Sequence, residues 1–109
     1  MSKYEVKKHY DMLIDMGNDP VNDSSELQAY MDKWDGKTFI EQLKLTGRES
    51  VLEIGIGTGR IAKKIINNCG TLTGIDVSSK TIDKAKEHLK DATLICDDFI
   101  NYKFDCQFD

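Results

Sequence analysis

The stretch VLEIGIGTGR, Val51 to Arg60, decides how this chain folds. Val51-Leu52-Glu53-Ile54 is a short apolar run, too short for a helix, and reads as a buried strand. It breaks into Gly55-Ile56-Gly57-Thr58-Gly59, after which Ile61, Ala62, Ile65 and Ile66 recur at helical spacing. Strand, glycine turn and helix in that order open a βαβ nucleotide-binding unit. The glycines permit a sharp turn and let a ligand come close to the main chain.

A glycine turn alone is a weak signal, and the next strand strengthens it. Leu72-Thr73-Gly74-Ile75 is a second apolar run, closed by Asp76, 21 residues after Gly55. From that position a carboxylate can accept both ribose hydroxyls of a nucleotide lying across the strand ends. The ligand is therefore expected to contain adenosine, and charge narrows it further. A pyrophosphate favours free amides at a helix N-terminus with no anion nearby. Here Glu53 stands two residues before the first glycine, and Arg60 occupies the place of the third glycine of G-x-G-x-x-G. Asp76 and the later pair Asp97-Asp98 add negative charge around the same rim. Opposite charges attract most strongly where water is partly excluded. A cationic, phosphate-free adenosine compound fits, and S-adenosyl-L-methionine is the one favoured.

Glu53-x-Gly55-x-Gly57-x-Gly59, then Asp76, then Cys96-Asp97-Asp98-Phe99 resembles the class I S-adenosylmethionine-dependent methyltransferases. The likeness runs from about Ser50 to Asp109. It implies that Glu53, Gly55, Gly57 and Gly59 hold the methionine part of the cofactor, directly or through water. It implies Asp76 on the ribose, Asp97 or Asp98 near the adenine amino group, and Phe99 packed on the ring. The family often has Gly where this chain has Cys96 and a small residue where it has Asp98, so the two aspartates remain alternatives. The implied fold is α/β, a Rossmann-like parallel sheet in strand order 3-2-1 with N-terminal helices.

Length and composition agree with one modest domain. The chain has 109 residues, 39% of them apolar and 31% charged. A net charge of −4 and a pI near 5.1 argue against a surface that coats nucleic acid. No apolar run approaches the roughly 18 residues that span a bilayer. No charged-then-apolar leader is seen, so a cytoplasmic location is expected. Cys69, Cys96 and Cys106 lack metal-type spacing and read as reduced thiols, with no metal site expected. His9 and His88 read as surface or packing residues.

Residues 1–46 are expected to form a helical cap and residues 47–109 the N-terminal half of the cofactor-binding domain. A first helix covers about residues 3–16, with Val6, Tyr10, Leu13 and Ile14 on one face. Gly17-Asn18-Asp19-Pro20 breaks it. A second helix starts near Ser25, with Ser25 and Gln28 as its capping box and Leu27, Tyr30, Met31 and Trp34 as its apolar face. A third starts near Thr38, capped with the help of Glu41. The resemblance implies that such helices cover the cofactor cleft. Their aromatics are read mainly as core packing, with room for one to touch the ligand. Beyond the glycine turn, a helix is expected over about Gly59–Asn68 with Gly70 as its cap. Strand two is Thr71–Ile75, a further helix spans about Ser79–Leu89 with lysines on a solvated face, and strand three is Thr93–Cys96.

In the family a Phe-Asp pair beyond the third strand opens strand four, and Phe108-Asp109 resembles that pair. The chain is accordingly expected to be half of a longer methyltransferase. With right-handed crossovers strand one is an edge, and an apolar edge invites self-association through Val51–Ile54. Methyl transfer from a sulfonium asks the protein mainly to align the acceptor and exclude water. No residue is assigned as catalytic and no acceptor is identified. The alternatives are a cofactor-binding module without transfer activity, an NAD- or flavin-binding Rossmann protein disfavoured by Glu53 and Arg60, and a polyamine synthase relative.

Overall fold

Three short β-rich runs separated by helical stretches can bury their apolar faces only by stacking side by side in parallel. A computed structural model describes residues 2–109 and shows this arrangement. Met1, the first residue of the expected helical cap, lies outside the described residues. The strands are β1 (Ser50–Ile54), β2 (Thr71–Asp76) and β3 (Thr93–Cys96), in the spatial order β1-β2-β3. Both pairings are parallel, with Ile54 opposite Ile75 and Asp76 opposite Cys96. This is the Rossmann-like order read from the sequence. The three strands end at one level, so the loops that follow them share one edge of the sheet.

Among the described residues five α-helices accompany the sheet: α1 (Lys3–Asp15), α2 (Ser25–Asp35), α3 (Lys37–Gln42), α4 (Ala62–Ile65) and α5 (Ser79–His88). The core is made by the β1-α4-β2 unit together with α5. Ile56, Ala62, Ile65, Leu72, Ile82, Ala85 and Leu89 pack together, with Cys69 buried among them as a free thiol. By contrast α1, α2 and α3 contain no buried residue. No helix among the described residues is long and apolar enough to cross a membrane.

Several local expectations give way. The second helix is capped by Ser24, whose Oγ accepts the Leu27 amide, and not by Ser25. Gln28 donates its side-chain amide to the Val21 and Asp23 carbonyls, so it ties down the preceding loop. The third helix starts from Gly36 without a side-chain cap, and Glu41 pairs with Lys37 along the helix at 3.8 Å. The helix after the glycine turn is only one turn long and tightens into a 3-10 turn over Ile66–Asn68. Gly70 is not its cap: its amide donates to the Glu49 carbonyl at 2.8 Å and leads into β2.

The aromatic face of α2 is also open. Trp34 is 73% exposed, and Leu27 and Tyr30 are exposed with it, so they are not core. Helical spacing makes a stripe but cannot say that a partner covers it. Likewise β1 is only half-buried, with Ile54 exposed, because no strand lies on its outer side among the described residues. Lys80 on the solvated face of α5 stays exposed, as expected, and pairs at the surface with Asp15 of α1. His88 bonds Asp19 at 2.8 Å with both side chains largely covered.

Candidate functional site

The site begins with how β1 ends. The Gly55 and Ile56 amides both donate to the Ile75 carbonyl, at 2.9 and 3.2 Å, so the chain leaves the sheet immediately after Ile54. The turn then lies in front of the end of β2. Asp76 closes β2 and reaches both loops. Its Oδ2 accepts the Gly57 amide at 3.0 Å and its Oδ1 accepts the Ser78 amide at 3.1 Å. Gly57 has φ +61°, a backbone that only glycine adopts without strain, and it presents no side chain to the space beyond.

At the end of β3 the Asp97 amide donates to the Asp76 carbonyl at 3.0 Å, which brings the third loop beside the other two. The two aspartates there behave differently. Asp98 accepts the Ile100 amide at 3.2 Å and the Asn101 side-chain amide at 2.8 Å, so both of its oxygens serve its own turn. Asp97 accepts only the Asp98 amide, at 2.7 Å on Oδ1, and is more exposed. Phe99 follows, its ring leaning on Phe104 with centroids 6.2 Å apart.

These loops surround a cavity of about 460 Å³. Gly55, Gly57, Asp76, Asp97, Asp98 and Phe99 line it, joined by Ile54, Ile75, Val77 and Ile100. Val6 and Tyr10 of α1 form a further wall. The volume suits a nucleoside-sized ligand. Among the described residues three carboxylates and no basic side chain line it, a set of acceptors that favours a neutral or cationic ligand and disfavours a phosphate.

Two of the residues named from the sequence stand elsewhere. Glu53 faces an adjoining hollow of about 210 Å³ behind the glycine turn, shared with Pro20, Gly55, Gly57, Thr58 and Arg60. Burial pushes its carboxyl up to about 7, against an opposing pull from the Arg60 charge. Its Oε2 is buried without a hydrogen-bond partner among the described residues. Arg60 is already engaged: it forms a forked pair with Asp35 of α2 and lies 3.7 Å from Asp32. Gly59 has a packing role. A Cβ there would sit 2.6 Å from Leu89 Cδ1, so its bareness lets the end of α5 close on the turn.

Sequence reasoning did not single out Val77 or Ile100, and it saw Ile54 only as part of the first strand and Val6 only as one member of a helical stripe. Tyr10 was visible only as one member of a helical stripe. Nothing in the pattern said that the first helix would lie against the second βα turn and so deliver Tyr10 to the cavity, 48% exposed.

Comparisons with known proteins bear on the family and the fold. The family described as Methyltransferase domain matches residues 51–109. An uncharacterized methyltransferase of Oceanobacillus iheyensis is 38% identical over 64 residues, covering 59% of this chain and 30% of that protein. A demethylmenaquinone methyltransferase of Thermotoga maritima is 33% identical over 110 aligned positions, covering 96% of this chain and 48% of that protein. Among solved structures, phosphoethanolamine N-methyltransferase 1 of Haemonchus contortus, in complex with phosphoethanolamine and S-adenosylhomocysteine, has a TM-score of 0.73. It covers 94% of this chain and 23% of its own at 17% identity, a likeness of fold alone. The chain spans 30% and 48% of the length of the two curated relatives named above.

Proposed function

The chain belongs to the methyltransferase-domain family of class I S-adenosylmethionine-dependent enzymes, and on that premise we propose that it supplies the cofactor-binding half of a methyltransferase. The observation that carries this reading is the single cavity where Gly55, Gly57, Asp76, Asp97, Asp98 and Phe99 converge with no basic residue among them. The cofactor is S-adenosyl-L-methionine.

Each residue then has a role that its surroundings support. Asp76 receives the ribose hydroxyls on the lone pairs left over by the Gly57 and Ser78 amides. Asp97, whose Oδ2 is free of bonds among the described residues, takes the adenine amino group, while Asp98 stiffens the turn beneath it. Phe99 packs on the adenine ring. Gly55 and Gly57 let the ligand approach the main chain, and because they also line the hollow that holds Glu53, the Oε2 of Glu53, without a partner among the described residues, suits a cationic methionine end that extends there. When bound, the sulfonium supplies an electrophilic methyl group. The protein's contribution within residues 2–109 is to bind and orient it, with Val6, Tyr10 and Ile54 excluding water along one side. Residues 1–46 act as a helical cap and 47–109 as the binding unit, a division supported by the lack of buried residues in α1 to α3.

Calorimetric titration tests the reading directly. S-adenosylhomocysteine should bind this chain and NAD should not; tighter binding of NAD would overturn it. A labelled-methyl assay with cell extract, run on this chain and on a longer form, separates an enzyme half from a binding module without transfer activity.

A further inference from the structure

Helix α1 supplies Val6 and Tyr10 to the cavity wall, yet it buries none of its own residues. Its attachment is polar and centres on Asp11. The Asp11 Oδ1 accepts the Ser78 hydroxyl at 2.5 Å and the Lys80 amide at 3.3 Å, and Oδ2 accepts Lys7 Nζ at 2.8 Å. Burial opposes the Asp11 charge, but Lys7, the Ser78 hydroxyl and the Lys80 amide together hold the carboxyl below its ordinary value.

Ser78 is fully buried. Its hydroxyl donates to Asp11 and accepts from the Thr81 amide at 3.1 Å and the Thr81 hydroxyl at 2.7 Å. Its amide donates to Asp76 Oδ1. Asp11 and Asp76 therefore hold the same residue from two sides, one reaching in from the cap and the other from the end of β2. We propose that Asp11 is a positioning residue for the cavity: by docking α1 on Ser78 it sets the wall of Val6 and Tyr10 against Asp76.

The magnitudes favour Asp11 over the apolar edge of α1. Val6, Leu13 and Ile14 are only half-buried, so each gains little from docking. Losing Asp11 strands the Ser78 hydroxyl as a buried donor and removes a charge-assisted bond, roughly a tenfold or larger shift in the docking equilibrium. Lys7, Lys80 with Asp15, and the 3.9 Å approach of Lys3 to Asp98 lie nearer solvent and add less.

The ligand arm of the test rests on the cofactor reading, whereas the docking arm does not. Amide hydrogen exchange is measured on the ligand-free chain as wild type, Asp11→Ala and Asp11→Asn. Exchange over residues 3–15 should be about tenfold faster in Asp11→Ala, with β1 to β3 unchanged. Asp11→Asn keeps an oxygen for Ser78 and should fall between. S-adenosylhomocysteine release, followed by stopped flow, should quicken in the same order while sheet protection holds, which general loosening of the fold would not produce. If Asp11→Ala does not fold, rising potassium chloride on the wild-type chain should free α1 before the sheet. Unchanged α1 exchange in both variants overturns the proposal, as does faster α1 exchange with unaltered ligand release. Wild-type chain that binds no S-adenosylhomocysteine overturns the cofactor reading instead, and faster exchange confined to α1 would still support the docking role.

Discussion

The Asp76 carboxylate accepts the Gly57 amide at 3.0 Å across 19 residues of sequence, so the acid that ends β2 also holds the glycine turn after β1. The shape of both loops thus depends on one side chain, and under the proposed function ligand binding would depend on it too. Asp76→Ala should weaken S-adenosylhomocysteine binding by about 1.5–3 kcal/mol, the scale of hydrogen bonds to a charged group. It should also lower the melting temperature, because two backbone amides lose their acceptor. Calorimetry and thermal unfolding read the two effects separately. An affinity equal to wild type would remove Asp76 from the site.

Glu53 makes stability depend on pH in an unusual direction. Its folded value of about 7 lies above the ordinary 4.5, so between those values the folded chain holds more proton than the unfolded one. The stability this contributes is present below pH 4.5 and lost as pH rises through 7. Glu53→Gln should therefore stabilise the chain at pH 8 by on the order of 1–2 kcal/mol, discounted for partial solvent access. Denaturant titrations at pH 5 and pH 8 check the sign.

The same carboxyl should couple cofactor binding to protons. A cationic ligand beside Glu53 favours its ionised form, so binding should tighten as pH rises toward 7 and should release a proton below it. Binding heats measured in buffers of different ionisation enthalpy would reveal that proton. Heats that do not vary with buffer would take Glu53 away from the ligand.

Gly57 and Gly59 answer to different demands, and alanine should separate them. At Gly57 the added methyl meets no atom within 4 Å, so only its φ of +61° is strained, at about 1–2 kcal/mol. At Gly59 the methyl would also lie 2.6 Å from Leu89, and the combined cost rises to ~2–4 kcal/mol. Gly57→Ala should chiefly impair ligand binding and Gly59→Ala chiefly stability. Equal losses of stability in the two variants would argue against this division.

Along β1, Ser50 exchanges two 2.8 Å hydrogen bonds with Asp109: its amide donates to the Asp109 carboxylate and its carbonyl accepts the Asp109 amide. The outer edge from Val51 to Ile54 has no such partner among the described residues. We propose that this chain associates with a second copy through that edge. Light scattering over a concentration series should show mass rising toward a dimer, and a constant monomer mass at every concentration would rule it out.

Short-range pattern was enough to read the strand, the glycine turn, Asp76 and the 3-2-1 order, because periodicity, backbone angle and crossover handedness act over a few residues or one βαβ unit. It brought six of the eight named residues to one cavity, Gly55, Gly57, Asp76, Asp97, Asp98 and Phe99. The errors lie where local rules compete. Ser24 and Ser25 are equal as caps on paper, and only the Leu27 amide chooses between them. Trp34 belongs to a proper helical stripe and still faces solvent.

What lay beyond the chain's own order of residues was how individual side chains of distant segments pair. Gly59 answers to Leu89, Arg60 to Asp35, and Asp11 to Ser78, and Glu53 lies behind the glycine turn instead of inside the cavity. No single segment encodes these pairings. They exist only once packing has placed side chains tens of residues apart within 3 or 4 Å, where steric fit and charge begin to act.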